Sequence, residues 1–273
     1  MLKRRLITAM LLGTVFVTAL FSLSDTLWAI FLLGFITIGA WEWGVLSGFS
    51  RRGRGIFSAC LFLSGLVLLP DLASFSMIRH WSAMALIGAS TLFWFFVAPL
   101  WLARQWHIRH PVLAILIGTL LLLPPWIALV DLRQIGPSVV LMAILTVAIA
   151  DSAAYFSGKR FGKHKLAPSI SPGKTWEGVM GAMITVTVFG TGLCLWSGWN
   201  PWFATGFLVL VVLSVIGDLF ESLIKRQAGK KDSGSLLPGH GGVLDRIDGL
   251  TSTLPLVACY AYLNQMTGWF ASI

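Results

Sequence analysis

Charge is what this chain has least of. Asp, Glu, Lys and Arg make up 11% of its 273 residues, whereas hydrophobic residues make up 56%. A soluble domain typically carries about 25% charged residues, so a water-soluble globular fold is excluded. Cysteine is also scarce: Cys60, Cys194 and Cys259 sit in apolar segments with no CxxC or His spacing. That excludes a disulfide framework and a cysteine zinc site, and leaves three packing residues. No internal repeat, linker or low-complexity tract divides the sequence, which reads as a single membrane domain over residues 1–273.

What the chain does have is long runs without charge. An apolar run of about 18 residues or more is read as a transmembrane helix. Nine spans are expected, at roughly 6–22, 27–46, 56–72, 81–102, 112–130, 138–157, 175–197, 203–224 and 249–270. The third is interrupted near its end by Pro70 and Asp71. The expected fold class is therefore all-α, a polytopic integral membrane protein. Lys3-Arg4-Arg5 before an apolar run resembles a signal peptide, but no small-x-small cleavage site follows, so a retained first span is expected.

Orientation follows from the basic residues. With the N-terminus in the cytoplasm, all of the twenty Lys and Arg except Arg79 and Arg133 fall in inside segments. This is the positive-inside pattern, and it predicts an N-in, C-out topology. It also accounts for the net charge of +9, which in a soluble chain would suggest nucleic acid; no nucleic-acid partner is expected here. The two longest inside loops, 158–174 and 225–248, place any chemistry on the cytoplasmic side. Residues 1–137 then supply N-terminal helices and 138–273 the helices and loops of the site.

An ionised group at the centre of a span is unfavourable by about 2.5–3.5 kcal/mol on insertion scales, so acids in spans call for an explanation. Glu42, Asp151, Glu177 and Asp218 fall inside proposed spans, with Glu221 near the end of the eighth. The topology puts all five in the cytoplasmic third of the bilayer. Glu42, in Trp41-Glu42-Trp43, reads equally as an interfacial carboxylate between belt tryptophans or as a supporting group. Glu177 suits the first turn of a helix, and Asp71 reads as solvated near the outside interface. Asp151 and Asp218 read as functional.

The stretch from Asp218 to Asp248 holds five of the eleven acidic residues and five of the twenty Lys and Arg. On a helix, Asp218, Glu221 and Lys225 share one face. Asp245 and Asp248, three apart, would be presented together by a helix beginning there. Between Lys225 and Asp245 lie Pro238, His240 and glycines 239, 241 and 242, suited to close backbone approach to a ligand. Carboxylates for a hard cation beside Lys, Arg and backbone amides describe a site for a metal-bound polyphosphate.

The segment 158–178 is basic and leads into a helix start, a natural anion site. Its Gly173-Lys174-Thr175 suggests a P-loop, but that motif needs Gly where Pro168 stands, and no preceding strand is expected. Lipid head groups are the simpler ligand for this loop taken alone. Both loops together, one basic and one with carboxylates, suggest nucleotide chemistry with Mg²⁺.

These residues closely resemble the phosphatidate cytidylyltransferase (CDP-diacylglycerol synthase) family. Its signature is similar to Ser-x-x-Lys-Arg, four residues, Lys-Asp-x-Gly, then Pro-x-His-Gly-Gly-x-x-Asp-Arg-x-Asp. Ser222, Lys225, Arg226, Lys231, Asp232, Gly234, Pro238, His240, Gly241, Gly242, Asp245, Arg246 and Asp248 fill it without a gap. Ser171 to Gly178 is similar to the family's Ser-Pro-x-Lys-Thr-x-Glu-Gly element, Asp151 to Tyr155 to its Asp-x-x-Ala-Tyr step, and Trp41-Glu42-Trp43 to its second-helix element. The resemblance covers most of residues 138–255 and implies transfer of CMP from CTP to phosphatidic acid, with Mg²⁺ required.

On that basis Asp218, Asp245 and Asp248 are the expected metal ligands, with Asp151 and Glu221 for a second cation or a supporting role. Lys174, Lys225, Arg226 and Arg246 are the expected phosphate clamps. Ser171, Thr175, Ser222, Lys231, His240, Gly241 and Gly242 are expected to contact the nucleotide or its triphosphate. The resemblance also makes a homodimer an expectation, in a bacterial-type plasma membrane with the site facing the cytoplasm. Rival readings are a CTP-dependent enzyme acting on a polyprenol or archaeal ether lipid, an ion-coupled transporter using Asp151 and Asp218 as its relay, and a binding-only protein.

Overall fold

The helices start where the sequence supplies caps. A computed structural model describes residues 2–70, 76–198, 200–236 and 241–267 of the chain. Helix α1 covers Leu2–Ser22. Ser24 accepts from the Leu27 amide at 3.4 Å and opens α2 (Asp25–Leu46), and Ser50 accepts from Gly53 at 3.1 Å and opens α3 (Arg51–Val67). Such side chains satisfy amides that the first helical turn leaves free. Helix α4 (Ser76–Leu92) runs through a π-turn, Phe93–Val97, into α5 (Ala98–Arg104). Pro111 and Pro137 each stand at a first helical position and begin α6 (Pro111–Ile135) and α7 (Pro137–Phe161).

After α7 the chain forms a small antiparallel pair, β1 (Lys165–Ala167) and β2 (Ser171–Thr175), with Lys165 opposite Thr175 and Ala167 opposite Ser171. Then follow α8 (Trp176–Trp196), a short 3₁₀ turn, α9 (Ala204–Gln227) and α10 (Leu244–Thr267). The all-α expectation is met. The expected absence of a strand before Gly173-Lys174 is not: β2 runs directly into α8. Pro168 still breaks the P-loop pattern.

Each of the nine expected spans overlaps a helix, although the third runs past the end of α3 at Val67 and the third and ninth end beyond the described residues. Among the described residues, six stretches are long and apolar enough to cross a membrane: Asp25–Leu46, Met77–Arg104, Pro111–Ile135, Pro137–Phe161, Trp176–Trp196 and Ala204–Gln227. The third expected span begins earlier than 56, because Ser50 caps a helix whose first turn holds Arg51, Arg52 and Arg54. The ninth begins at Leu244, so that Asp245 and Asp248 belong to it. Asp71 and residues Pro238, Gly239 and His240 lie outside the described residues.

Buried indoles stitch α2 to α6. Trp28 Nε1 donates to the Leu129 carbonyl at 3.3 Å, Trp43 Nε1 to Ala114 at 2.9 Å, and Trp126 Nε1 to Ala29 at 2.9 Å. Gly118 makes room for this, since a Cβ there would overlap the Trp43 indole and come within 2.9 Å of Phe57 Cζ. Pro124 has no amide, so the Leu120 carbonyl one turn back loses its helical donor. Ser90 of α4 replaces it, donating at 3.1 Å. In hydrocarbon every backbone polar group needs such a partner.

The two arginines assigned outside have local work. Arg133 donates to the Leu20 carbonyl at 2.8 Å and to that of Leu23, pairs with Asp25 and lies over the Trp28 ring. Arg79 donates to the Leu68 carbonyl at 3.0 Å and pairs with Asp131, which also accepts from the Tyr262 hydroxyl. Each therefore satisfies carbonyls at the end of a helix, α1 or α3, that the helix cannot satisfy itself.

Candidate active site

One face of α9 carries Asp218, Glu221, Ser222 and Lys225 within two turns. Ser222 Oγ donates to Asp218 Oδ1 at 3.3 Å, and Lys225 Nζ to Glu221 Oε2 at 3.1 Å. Lys225 then crosses to α10, donating to Asp245 Oδ1 at 2.6 Å. The other Asp245 oxygen accepts from the Ser233 amide at 2.9 Å, the Ser233 hydroxyl at 3.0 Å and the Gly242 amide at 2.8 Å. Both oxygens of Asp245 are thus occupied by protein donors. Glu221 Oε1 is buried without a hydrogen-bond partner among the described residues.

Asp248, one turn further along α10, faces elsewhere. It lies within electrostatic reach of Asp151 of α7 and Asp218 of α9. Asp151 Oδ1 accepts from Ser214 Oγ at 3.4 Å, and Asp248 Oδ1 from the Gly249 amide at 2.8 Å. The helices meet closely here because α9 has Gly217, where a Cβ would come within 2.6 Å of Ser252 Oγ. Asp245 and Asp248 therefore share a helix start but serve different ends of the site: one is held by Lys225, the other joins the Asp151 and Asp218 carboxylates.

The β1–β2 hairpin supplies the counter-charge. Lys174 Nζ lies 2.6 Å from Asp218 Oδ2 and within electrostatic reach of Asp151 and Asp248. Thr175 caps α8, accepting from the Gly178 amide at 3.2 Å. Glu177 accepts from the amides of Lys163 at 3.1 Å and His164 at 3.2 Å, folding the loop back onto the helix start. Arg226 Nε donates to the Ile170 carbonyl at 3.3 Å, which fastens the hairpin turn to the end of α9. Ser171 pairs with Ala167 at the far end of β2. Lys231 and Arg246 are exposed.

The structure therefore brings together Asp151, Asp218, Asp248, Glu221 and Asp245 in one line of carboxylates. Lys174 stands at one end, Lys225 at the other, and Arg246 is within electrostatic reach of Asp151. Acid outnumbers base along this line. Among the described residues no three His, Cys, Asp or Glu side chains form a ready-made metal centre. The donor set nevertheless suits Mg²⁺, which commonly takes one or two protein carboxylates and completes its shell with water and substrate phosphates.

Gly241 and Gly242 close the loop tightly. Gly241 has φ +79°, a left-handed conformation that glycine adopts without strain, and a Cβ there would overlap the Asp245 carboxylate. Two shallow grooves along the α7–α8 seam share Ser157 and Thr185; they are lined by residues such as Phe156, Phe161, Trp176 and Met180 rather than by the carboxylate line.

A sequence model of the cytidylyltransferase family matches residues 3–264. This chain belongs to the cytidylyltransferase family. It is similar to the phosphatidate cytidylyltransferase of Pseudomonas aeruginosa, at 38% identity over 285 residues covering 99% of this chain and 100% of that protein. It is similar to the phosphatidate cytidylyltransferase of Haemophilus influenzae, at 35% identity over 292 residues covering 96% of this chain and 99% of that protein. It is also similar to that of Brucella suis, at 45% identity over 127 residues covering 45% and 46%. The chain is thus a nucleotidyltransferase of the membrane.

Two polar residues around this cytidylyltransferase site, Ser214 and Ser233, went unmarked by the sequence motifs, and a third, Glu42, was marked without its partners. Ser214 lies one turn before Asp218, and its spacing was the available signal. Ser233 sits inside the signature at a position that any residue fills. Glu42 was weighed against an interfacial role, yet it is buried, whereas its neighbour Trp41 is exposed.

Proposed function

We propose that this cytidylyltransferase transfers a CMP unit from CTP to phosphatidic acid, releasing CDP-diacylglycerol and pyrophosphate with Mg²⁺ required. The observation that carries the proposal is the line of carboxylates ending on Lys174. A site with excess carboxylate beside cations suits a polyphosphate that arrives with its metal. The names of the full-length relatives support phosphatidic acid as the acceptor.

In this reaction a phosphate oxygen of the lipid attacks the α-phosphorus of CTP, and the bond to the β-phosphate oxygen breaks. That lipid phosphate is already anionic at neutral pH, so no separate general base is needed. Lys174 and Arg246 orient and neutralise the triphosphate, with Lys174 exchanging Asp218 for a phosphate oxygen. Asp218 and Asp248, with Asp151 beside them, would hold Mg²⁺, and Glu221 Oε1 would serve a second cation. When bound, the metal supplies charge neutralisation and a fixed geometry for the reacting phosphates. Asp245 joins the metal only if Lys225 or Ser233 releases it; as it stands, it anchors the loop. Arg226 holds the hairpin, and Ser171, Thr175, Ser222, Lys231, Gly241 and Gly242 would contact the nucleotide; the same role for His240, outside the described residues, rests on the family resemblance.

The positive-inside pattern supports a cytoplasmic site in a bacterial plasma membrane, where CTP enters from water and the lipid from the bilayer. Purified protein incubated with labelled CTP, phosphatidic acid and Mg²⁺ tests the proposal. A labelled CDP-lipid is expected. Product from a polyprenol or an ether lipid instead, or no product, contradicts it.

A further inference from the structure

Glu42 lies on α2, far from the signature in sequence, and its carboxylate is buried in the mouth of the signature loop. Its Oε1 accepts from the Val243 amide at 3.0 Å, and its Oε2 from the Leu244 amide at 2.9 Å and from Ser233 Oγ at 2.9 Å. Glu42, Ser233, Val243 and Leu244 are all at most 5% exposed. The backbone is shaped to this group. A Cβ on Gly234 would come within 2.9 Å of Glu42 Cδ, and one on Gly242 would overlap the carboxylate oxygens. Two segments separated in the chain, 233–234 and 242–244, thus close around one side chain from another helix.

The same two segments hold Asp245. Ser233 and Gly242 donate their amides to Asp245 Oδ2, and the Ser233 hydroxyl lies within 3.0 Å of that oxygen and 2.9 Å of Glu42 Oε2. A hydroxyl has a single proton, so Ser233 satisfies one carboxylate at a time and ties the two together. The first amides of a helix have no intrahelical partner and favour a negative charge. At the start of α10 the Leu244 amide and that of Val243 just before it go to a remote carboxylate, Glu42, while the Gly242 amide ahead of them goes to a local one, Asp245.

We infer that Glu42 is a positioning residue for nucleotidyl transfer: through Ser233 and the amides of Val243 and Leu244, it sets the start of α10. Asp245 and Asp248 are thereby placed against Lys225 and Asp218. The inference rests on the proposed function for its consequence in turnover, but its geometry stands without it. Replacing the carboxylate by an amide of the same shape turns an NH₂ toward amide or hydroxyl donors.

The test compares Glu42→Gln, Ser233→Ala and the double variant in the purified full-length protein. For Glu42→Gln, hydrogen exchange at the Val243 and Leu244 amides should quicken about tenfold or more, as expected for losing a hydrogen bond to a charged group. Exchange in α7 and α8 should not change. Turnover with CTP and phosphatidic acid should fall by a similar factor, while KM for CTP stays within about twofold. The double variant should lose no more than the worse single, because both act through one link. Unchanged exchange at Val243 and Leu244, or turnover losses that multiply in the double variant, overturns the inference. If the parent protein makes no CDP-lipid, the proposed function fails, and the exchange measurement alone decides the role of Glu42.

Discussion

Lys225 Nζ sits 2.6 Å from Asp245 Oδ1 and 3.1 Å from Glu221 Oε2, so a single ammonium group joins α9 to the start of α10. The lysine side chain is 11% exposed and those of its partners 9% and 6%, which places the bridge in the protein interior. Removing one member of a buried ion pair leaves the other charge uncompensated and lowers stability by about 3–5 kcal/mol. Lys225→Met is expected to lower the thermal unfolding midpoint in detergent and to abolish turnover. A variant with unchanged melting and turnover contradicts the bridge.

Lys174 differs, because its pair with Asp218 is partly open, at 24% and 33% exposure. Pairs of this kind contribute about 0–1 kcal/mol. Lys174→Met should therefore leave the melting midpoint almost unchanged while raising KM for CTP. Steady-state kinetics at varied CTP, beside a melting curve, separates the two effects.

Two glycines with positive φ make a controlled comparison. At Gly229, φ is +66° and a Cβ would meet open space; at Gly241, φ is +79° and a Cβ would overlap Asp245. Gly229→Ala should cost about 1–2 kcal/mol of backbone strain and keep turnover. Gly241→Ala should carry that strain and also displace Asp245, with turnover falling about tenfold or more. Equal turnover in the two variants would show that the Asp245 contact is unimportant.

Chelation of divalent metal should stop the reaction, and added Mg²⁺ should restore it. The folded protein should survive chelation, because its helices are joined by packing and by hydrogen bonds such as those of Trp28, Trp43 and Trp126. Circular dichroism before and after chelation, beside the assay, checks both statements.

The apolar runs were legible because a membrane helix is written as continuous composition, and each expected span overlaps a helix, six of them among the described residues long and apolar enough to cross a membrane. The α9 face was legible as well: Asp218, Glu221 and Lys225 repeat at helical spacing, so their shared face follows from geometry. The different fates of Asp245 and Asp248 were not legible. Their spacing is local, but what each meets depends on Lys225 of α9 and on the carboxylates of α7 and α9. Glu42 was harder still, since its partners lie about two hundred positions away and nothing in Trp41-Glu42-Trp43 reports them. The hairpin escaped notice because Ser171-Pro-Gly-Lys-Thr175 is poor in the branched and aromatic residues that mark strands. It is held from outside by Glu177 and Arg226, and its own Lys174 reaches out to Asp218.

The most direct test of the central claim is formation of labelled CDP-diacylglycerol by the purified protein from labelled CTP, phosphatidic acid and Mg²⁺, run beside Asp218→Asn and Asp248→Asn. The parent protein should form the product, and each variant should lose about a hundredfold or more in turnover, as expected when charge stabilisation of reacting phosphates is removed. No labelled lipid from the parent, or turnover unchanged in the two variants, would contradict it.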